Sequence, residues 1–162
     1  MIAVADGREK IDDETVAYIL VARTYFEDLR QVAAQLAGLL VLAAAGGKSA
    51  TTDHPMFELA ERLHASASEG IHNSRTTPRA RSHHECLARA TASLECALSS
   101  ARAQLGRTSR SPEIDAILTP LQSAYAQLRS ASSALPGFEM FSFEQACCAP
   151  RAPVGKKAMV TE

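Results

Sequence analysis

Tryptophan is absent from this chain, and aromatic residues make up only 5% of its 162 positions. A core with so few rings must be filled by Ala, Leu and similar small contacts, which suits helix packed on helix. Long hydrophobic runs are missing too. The longest, Leu36 to Ala45, is ten residues and contains Gly38, about half of the roughly 20 that a membrane crossing needs. The first ten residues hold no basic stretch followed by an apolar run, so no secretory signal is visible and a cytoplasmic protein is expected. No Cys-x-x-Cys pair occurs among Cys86, Cys96, Cys147 and Cys148. The common structural zinc patterns are therefore absent, and free thiols are the default in a reducing compartment.

Concentrated charge of one sign is also lacking. Residues 1–46 carry four basic and seven acidic groups, 47–110 nine and six, and 111–162 four and five, for a net charge of −1. No segment has the positive field that drives phosphate binding, so nucleic acid is not an expected partner.

What is present is a 46% apolar content arranged with helical period. Such a chain can bury a core of one domain. The first helix is predicted over Asp12 to Ala45. Acidic Asp12, Asp13 and Glu14 crowd its first turn, where the helix dipole favours them. Ile19, Ala22, Phe26, Leu29, Ala33, Leu36, Leu40 and Ala43 follow 3–4 spacing, and Gly46-Gly47 is a stop. A helix of this length reaches about 50 Å, so it either bends or packs partly on a second copy.

A second helix is expected from Asp53 as cap, with Pro55 in the first turn and Met56, Ala60, Leu63, Ala67 and Gly70/Ile71 as apolar stripe. A basic loop, residues 74–81, ends it. Ser82-His83-His84-Glu85 has the form of a capping box opening a third helix, with Leu87, Ala90, Leu94, Ala97/Leu98, Ala101 and Leu105 facing the core. Ser111-Pro112-Glu113 opens a fourth. Its stripe is Ile114, Ile117, Leu121, Ala124, Leu128, Ala131 and Leu135, and Pro120 inside it predicts a kink. Pro136-Gly137 ends this helix. Residues 138–143 are the most aromatic stretch and are expected to fold over a seam of the bundle, and from Pro150 onward the tail is expected to be flexible. The fold class expected is all-α: an antiparallel four-helix bundle with a kinked fourth helix and a short C-terminal capping segment, in one domain over residues 1–149.

Histidines and carboxylates of the second and third helices are the best lead to chemistry. His54 and Glu58 are four apart. Glu61-x-x-His64 and Glu69-x-x-His72 have the spacing used by ferritin-like di-iron bundles, and the His-His-Glu triplet at residues 83–85 is similar to hemerythrin-like ones. A helical projection separates this chain from both. Glu58, Glu61, Glu69 and His72 lie near His54, on the side opposite the apolar stripe, with only His64 at the boundary. Both Glu-x-x-His pairs also sit on one helix, and the first and fourth helices have no histidine. That stripe therefore reads as a solvated face.

His83 is different, because it falls in line with Leu94 and Leu98. With His84 and Cys86 beside it, and His64 or the tail cysteines in reach, it gives a candidate site for a metal ion such as zinc or for a heme-like iron. The bland reading is a half-buried histidine bonded to a neighbouring loop. His72 and His84 are the exposed candidates for a phosphotransfer domain, but neither is followed by a Lys-Gly pair. Cys96 projects outward, which suits a subunit contact. Cys147-Cys148 could bind a soft metal or simply pack. Arg75, Arg79 and Arg81 could clamp an anion, though loop arginines are usually only solvated. No nucleophile elbow, phosphate loop or paired inward carboxylates occur, so no catalytic residue is assigned.

The function these features favour is a non-enzymatic interaction module, forming a homodimer through its long first helix and binding a protein partner, with no cofactor. A metal- or heme-binding bundle is the alternative, and histidine phosphotransfer ranks below it.

Overall fold

The computed structural model describes residues 11–45, 53–105 and 113–140. These form four helices and, among the described residues, no strand: α1 Asp13–Ala44, α2 Pro55–Asn73, α3 Arg81–Leu105 and α4 Ile114–Ala134. The expected all-α four-helix bundle is the fold.

Each helix starts where local chemistry satisfies its first amide groups. Asp12 is the cap of α1. One of its carboxylate oxygens accepts from Thr15 N at 2.7 Å and the other from Thr15 Oγ1 at 2.8 Å. At α2 the cap is His54 rather than Asp53, because Pro55 holds its predecessor in extended backbone, the conformation a cap requires. His54 has φ −70° and ψ 134°, and its Nδ1 accepts from Met56 N at 3.2 Å. The third start is also displaced. α3 already includes Ser82, and Glu85 points into solvent towards Arg89. The capping role falls instead to Thr77, whose Oγ1 accepts from Ala80 N at 3.2 Å, one turn upstream, just before Pro78. At α4 the cap residue is Glu113, with no side-chain cap bond, and Pro120 lies inside the helix. Gly46-Gly47, Gly106 and Ser111-Pro112 lie outside the described residues.

α1 packs chiefly on α2 and α3 chiefly on α4, with α2 also touching α3 and α1 also touching α4. The helices thus follow one another in chain order around the bundle, and α1 crosses the diagonal to α3. α1 buries Ala22, Phe26, Leu29, Leu36 and Leu40, the stripe its spacing predicts, and α4 buries Ile117, Leu121, Ala124, Leu128 and Ala131. On α2 the buried set is Phe57, Ala60, His64, Ala67 and Ile71. The stripe expected there is therefore rotated by ~50°: Met56 and Leu63 sit at its edge, and His64 takes the seam. Close approach of α1 and α2 explains Gly70, where any Cβ would collide with the Tyr25 ring.

After α4 the chain reverses at Gly137, whose φ of +90° favours glycine. Phe138 then returns into the core, edge-to-face with Phe26 at 5.3 Å between ring centres and 4.0 Å from the His83 ring. This is the first residue of the expected aromatic cap. The remainder from Phe141, including Cys147, Cys148 and the tail from Pro150, lies outside the described residues.

Candidate functional site

Three places on this bundle gather side chains with chemistry or unpartnered surface. The first is the end where α1 and α3 begin. Asp12, Thr15, Thr77 and Ala80 form a directed chain of hydrogen bonds. The Thr15 hydroxyl donates to Asp12, so at the 2.8 Å contact between the two hydroxyls Thr77 must donate to Thr15, while Thr77 Oγ1 accepts from Ala80 N. Thr15 is fully buried and Thr77 nearly so. The Thr15 amide, then its hydroxyl, hold the Asp12 carboxyl below the usual aspartate range. This chain pins the α2–α3 connection to the start of α1.

One turn further into the core, Tyr18 Oη and His83 Nδ1 are 2.9 Å apart. Both side chains are buried, and His83 Nε2 has no hydrogen-bond partner. Burial, and secondarily the nearby His84, push His83 down to about 4, and burial also lowers His84. Burial raises the Tyr18 phenol. At neutral pH His83 is thus an uncharged, sealed imidazole rather than an accessible base.

Of the residues singled out from sequence, His83, His84 and Cys86 share the first turns of α3, with His83 and Cys86 buried and His84 half-buried. His64 is not with them. It lies against Thr91 and Glu95, and Thr91 is eight residues past His83, ~12 Å along the helix. Among the described residues, no group of three or more His, Cys, Asp or Glu side chains could hold a metal ion. Cys96 is exposed, and Arg75, Arg79 and Arg81 are all exposed, Arg79 close enough to lower Asp12 by its charge.

The second place is a polar cleft of about 590 Å³ between α2 and α3. Its charged groups already face partners: Glu61 pairs with Arg102, and His64 Nδ1 stands 3.3 Å from Glu95 Oε2 while its Nε2 is 3.0 Å from Thr91 O. His72 and Glu69 line its outer part, exposed as the helical projection implies. Ser68 and Ser99 also line it.

Compared with known proteins, the chain matches no family model, no curated protein and no solved structure. What the bundle does must therefore be argued from its own surface.

The third place is an apolar groove of about 550 Å³ between α1 and α4. Three alanines of α1, Ala33, Ala34 and Ala37, form one side. Leu118, Leu121, Tyr125 and Leu128 of α4 form the other, with Arg30, Gln122 and Met140 at its margins. Small residues on α1 leave a trough where a bulkier helix would close the seam. Tyr125 is 47% exposed there. On α1, Val16, Leu20 and Val41 are 42%, 65% and 69% exposed and fall within ~60° of one another around the helix. The 3–4 stripe read from the sequence of α1 passes over Ala34 and Ala37, so it does not reveal the groove. The signal was the pair of exposed alanines, Ala34 and Ala37, one turn apart beside the core stripe. No helix among the described residues is long and apolar enough to cross a membrane.

Proposed function

We propose that this chain is a non-enzymatic helical-bundle interaction module, which self-associates through the outer face of α1 and receives an amphipathic helix of a protein partner between α1 and α4. The α1–α4 groove carries the reading: it is apolar, long enough for two or three turns of a helix, and lined by alanines that let a backbone approach closely. Helix-in-groove recognition uses apolar anchors at i, i+3/i+4 and i+7 for such a trough. The exposed Val16 and Leu20 at one end of α1 and Val41 at the other supply the self-association surface, on one side of the helix with the Glu27–Arg30 ion pair between them. Native mass spectrometry of untagged protein tests the first half. A dimer is expected at tens of micromolar, returned to monomer by Leu20→Glu; a wild-type monomer at that concentration refutes self-association.

The metal- or heme-binding reading is favoured by one observation, the buried Nε2 of His83 that has no partner. The same spectrum tests it, because a bound ion or heme adds its mass. An unadorned polypeptide mass after gentle purification removes that reading.

A further inference from the structure

We infer that the second copy binds by a two-fold, antiparallel pairing of α1 with α1, in which each Leu20 seats in a hollow of the other chain formed by Ala34, Ala37, Gly38 and Val41; this rests on the self-association proposed above. The outer stripe of α1 is close to a palindrome. Val16 and Val41, Leu20 and Ala37, Arg23 and Ala34, and Glu27 and Arg30 are each placed symmetrically about one point, midway between Asp28 and Leu29. These residues fall within ~100° of one another around the helix, and all are exposed except the half-buried Arg30. A two-fold contact uses the same patch on both copies, so each residue comes opposite its symmetric mate. Val16 meets Val41 at both ends. At the centre, Glu27 of each chain meets Arg30 of the other, beside the Glu27–Arg30 pair already made within α1 at 2.9 Å. A parallel dimer would set Glu27 on Glu27 and Arg30 on Arg30. Exposed ion pairs add little affinity, but they choose the orientation.

Size complementarity points the same way. Leu20, 65% exposed, is a branched knob. Its mate Ala37 stands with Ala34, Gly38 and Val41 at the i, i+3, i+4 and i+7 spacing of the four-residue hole that receives a knob when two helices pack. Alanine and glycine at three of its corners keep that hole deep. Ala34 and Ala37 also belong to the α1 wall of the α1–α4 groove, so a second copy competes with a partner helix for the same alanines.

Disulfide trapping in the full chain tests the arrangement, with native mass spectrometry of the wild type alongside. Val16→Cys and Val41→Cys are oxidised at tens of micromolar, each alone and mixed in equal amounts, and peptide mapping assigns the links. In the antiparallel dimer position 16 lies against position 41 of the other copy, whereas like positions are ~37 Å apart. The mixture should therefore give at least tenfold more 16–41 link between chains than either variant alone gives of 16–16 or 41–41 link. Glu27→Arg and Arg30→Glu should each weaken the dimer at least tenfold, because either reversal sets four like charges around the two-fold axis, and mixing the two variants should restore it as a heterodimer. Like-position links overturn the antiparallel pairing, and a wild-type dimer that yields no link between these positions puts the contact on another face; both leave self-association standing. A charge variant that dimerises as tightly as wild type overturns the register. A wild-type monomer refutes self-association itself, and this pairing with it.

Discussion

His83 makes the bundle acid-sensitive, and the size of the effect follows from its surroundings. The imidazole is fully buried, in contact with Tyr18 and Phe138, and burial holds it down to about 4, while in the unfolded chain a histidine titrates near 6.5. The unfolded state therefore takes up the proton first. Stability is complete above about 6.5 and is lost progressively as the pH falls towards about 4. The whole gap corresponds to about 3 kcal/mol, of which about 2 kcal/mol is expressed between pH 7 and pH 5. His84, lowered by burial as well, acts with the same sign. The carboxylates with shifted values, Asp12 and Asp28, move from a starting point of 3.8 in opposite directions, so the interval from 7 to 5 isolates the histidines.

The assay is urea unfolding followed by far-UV circular dichroism at pH 7.0, 6.0 and 5.0 at fixed ionic strength. The wild type should lose about 2 kcal/mol across the series, with a melting temperature lower by about 5–10 °C. His83→Leu removes the titrating group and should flatten most of that slope, whatever its own stability at pH 7. A wild-type free energy constant to within about 0.5 kcal/mol, or a slope that survives His83→Leu unchanged, would refute the argument that this imidazole is sealed and neutral.

Thr15→Val breaks the hydroxyl chain at its middle and leaves the Thr77 hydroxyl buried without an acceptor; a loss of about 1–3 kcal/mol in unfolding free energy is expected, and less than about 0.5 would show the chain to be idle. Gly70→Ala should lower the melting temperature although Ala is the better helix former by about 1 kcal/mol, because the Tyr25 ring must leave its place on α2; a rise would mean the ring moves freely. His64→Ala removes a buried ring that contacts Thr91 O and Glu95, and a cost of about 2 kcal/mol is expected by the same urea assay. Ala37→Arg introduces a long cation into the α1–α4 groove at an exposed site, so it should leave folding within about 0.5 kcal/mol of wild type while abolishing binding of any helical peptide selected on the wild-type protein; binding that persists would place the peptide elsewhere.

The four helices were legible because each carries a stripe that keeps one period through several turns. In α1, Ala22, Phe26, Leu29, Leu36 and Leu40 fall where 3–4 spacing puts them, and in α3 and α4 the agreement is as close. Helix starts were less legible, for a reason common to two of them. Residue–proline pairs set extended backbone before a helix, and His54-Pro55 and Thr77-Pro78 act this way, yet neither His54 nor the Thr77 turn stands out beside an ordinary Asp or a Ser-x-x-Glu pattern. Asp53 and Ser82 fit the side-chain preference for a cap; the proline decides the backbone, and backbone conformation comes first.

The site is harder to read because a polar side chain that fills a seam has the same sequence signature as one on a solvated face. His64 repeats correctly with Phe57, Ala60, Ala67 and Ile71, but setting it aside as polar turned the expected face of α2 towards Met56 and Leu63. In the fold, His64 reaches a backbone carbonyl of α3 and a glutamate beside it, so its polar atoms are met and its ring can fill the seam. His83 shows the complementary case: its spacing placed it in the core, and the core accepts it by lowering its affinity for a proton and giving it Tyr18. The converse error hid the groove. Ala34 and Ala37 look neutral in a sequence, since alanine is at home on either face of a helix. Their consequence is the space they leave, and that space appears only when α4 is set opposite with Leu118 and Tyr125 held away. A histidine that completes its hydrogen bonds is therefore better evidence of packing than of a ligand site, whereas an alanine stripe facing a half-buried Leu118 and an exposed Tyr125 is the stronger sign of something that binds.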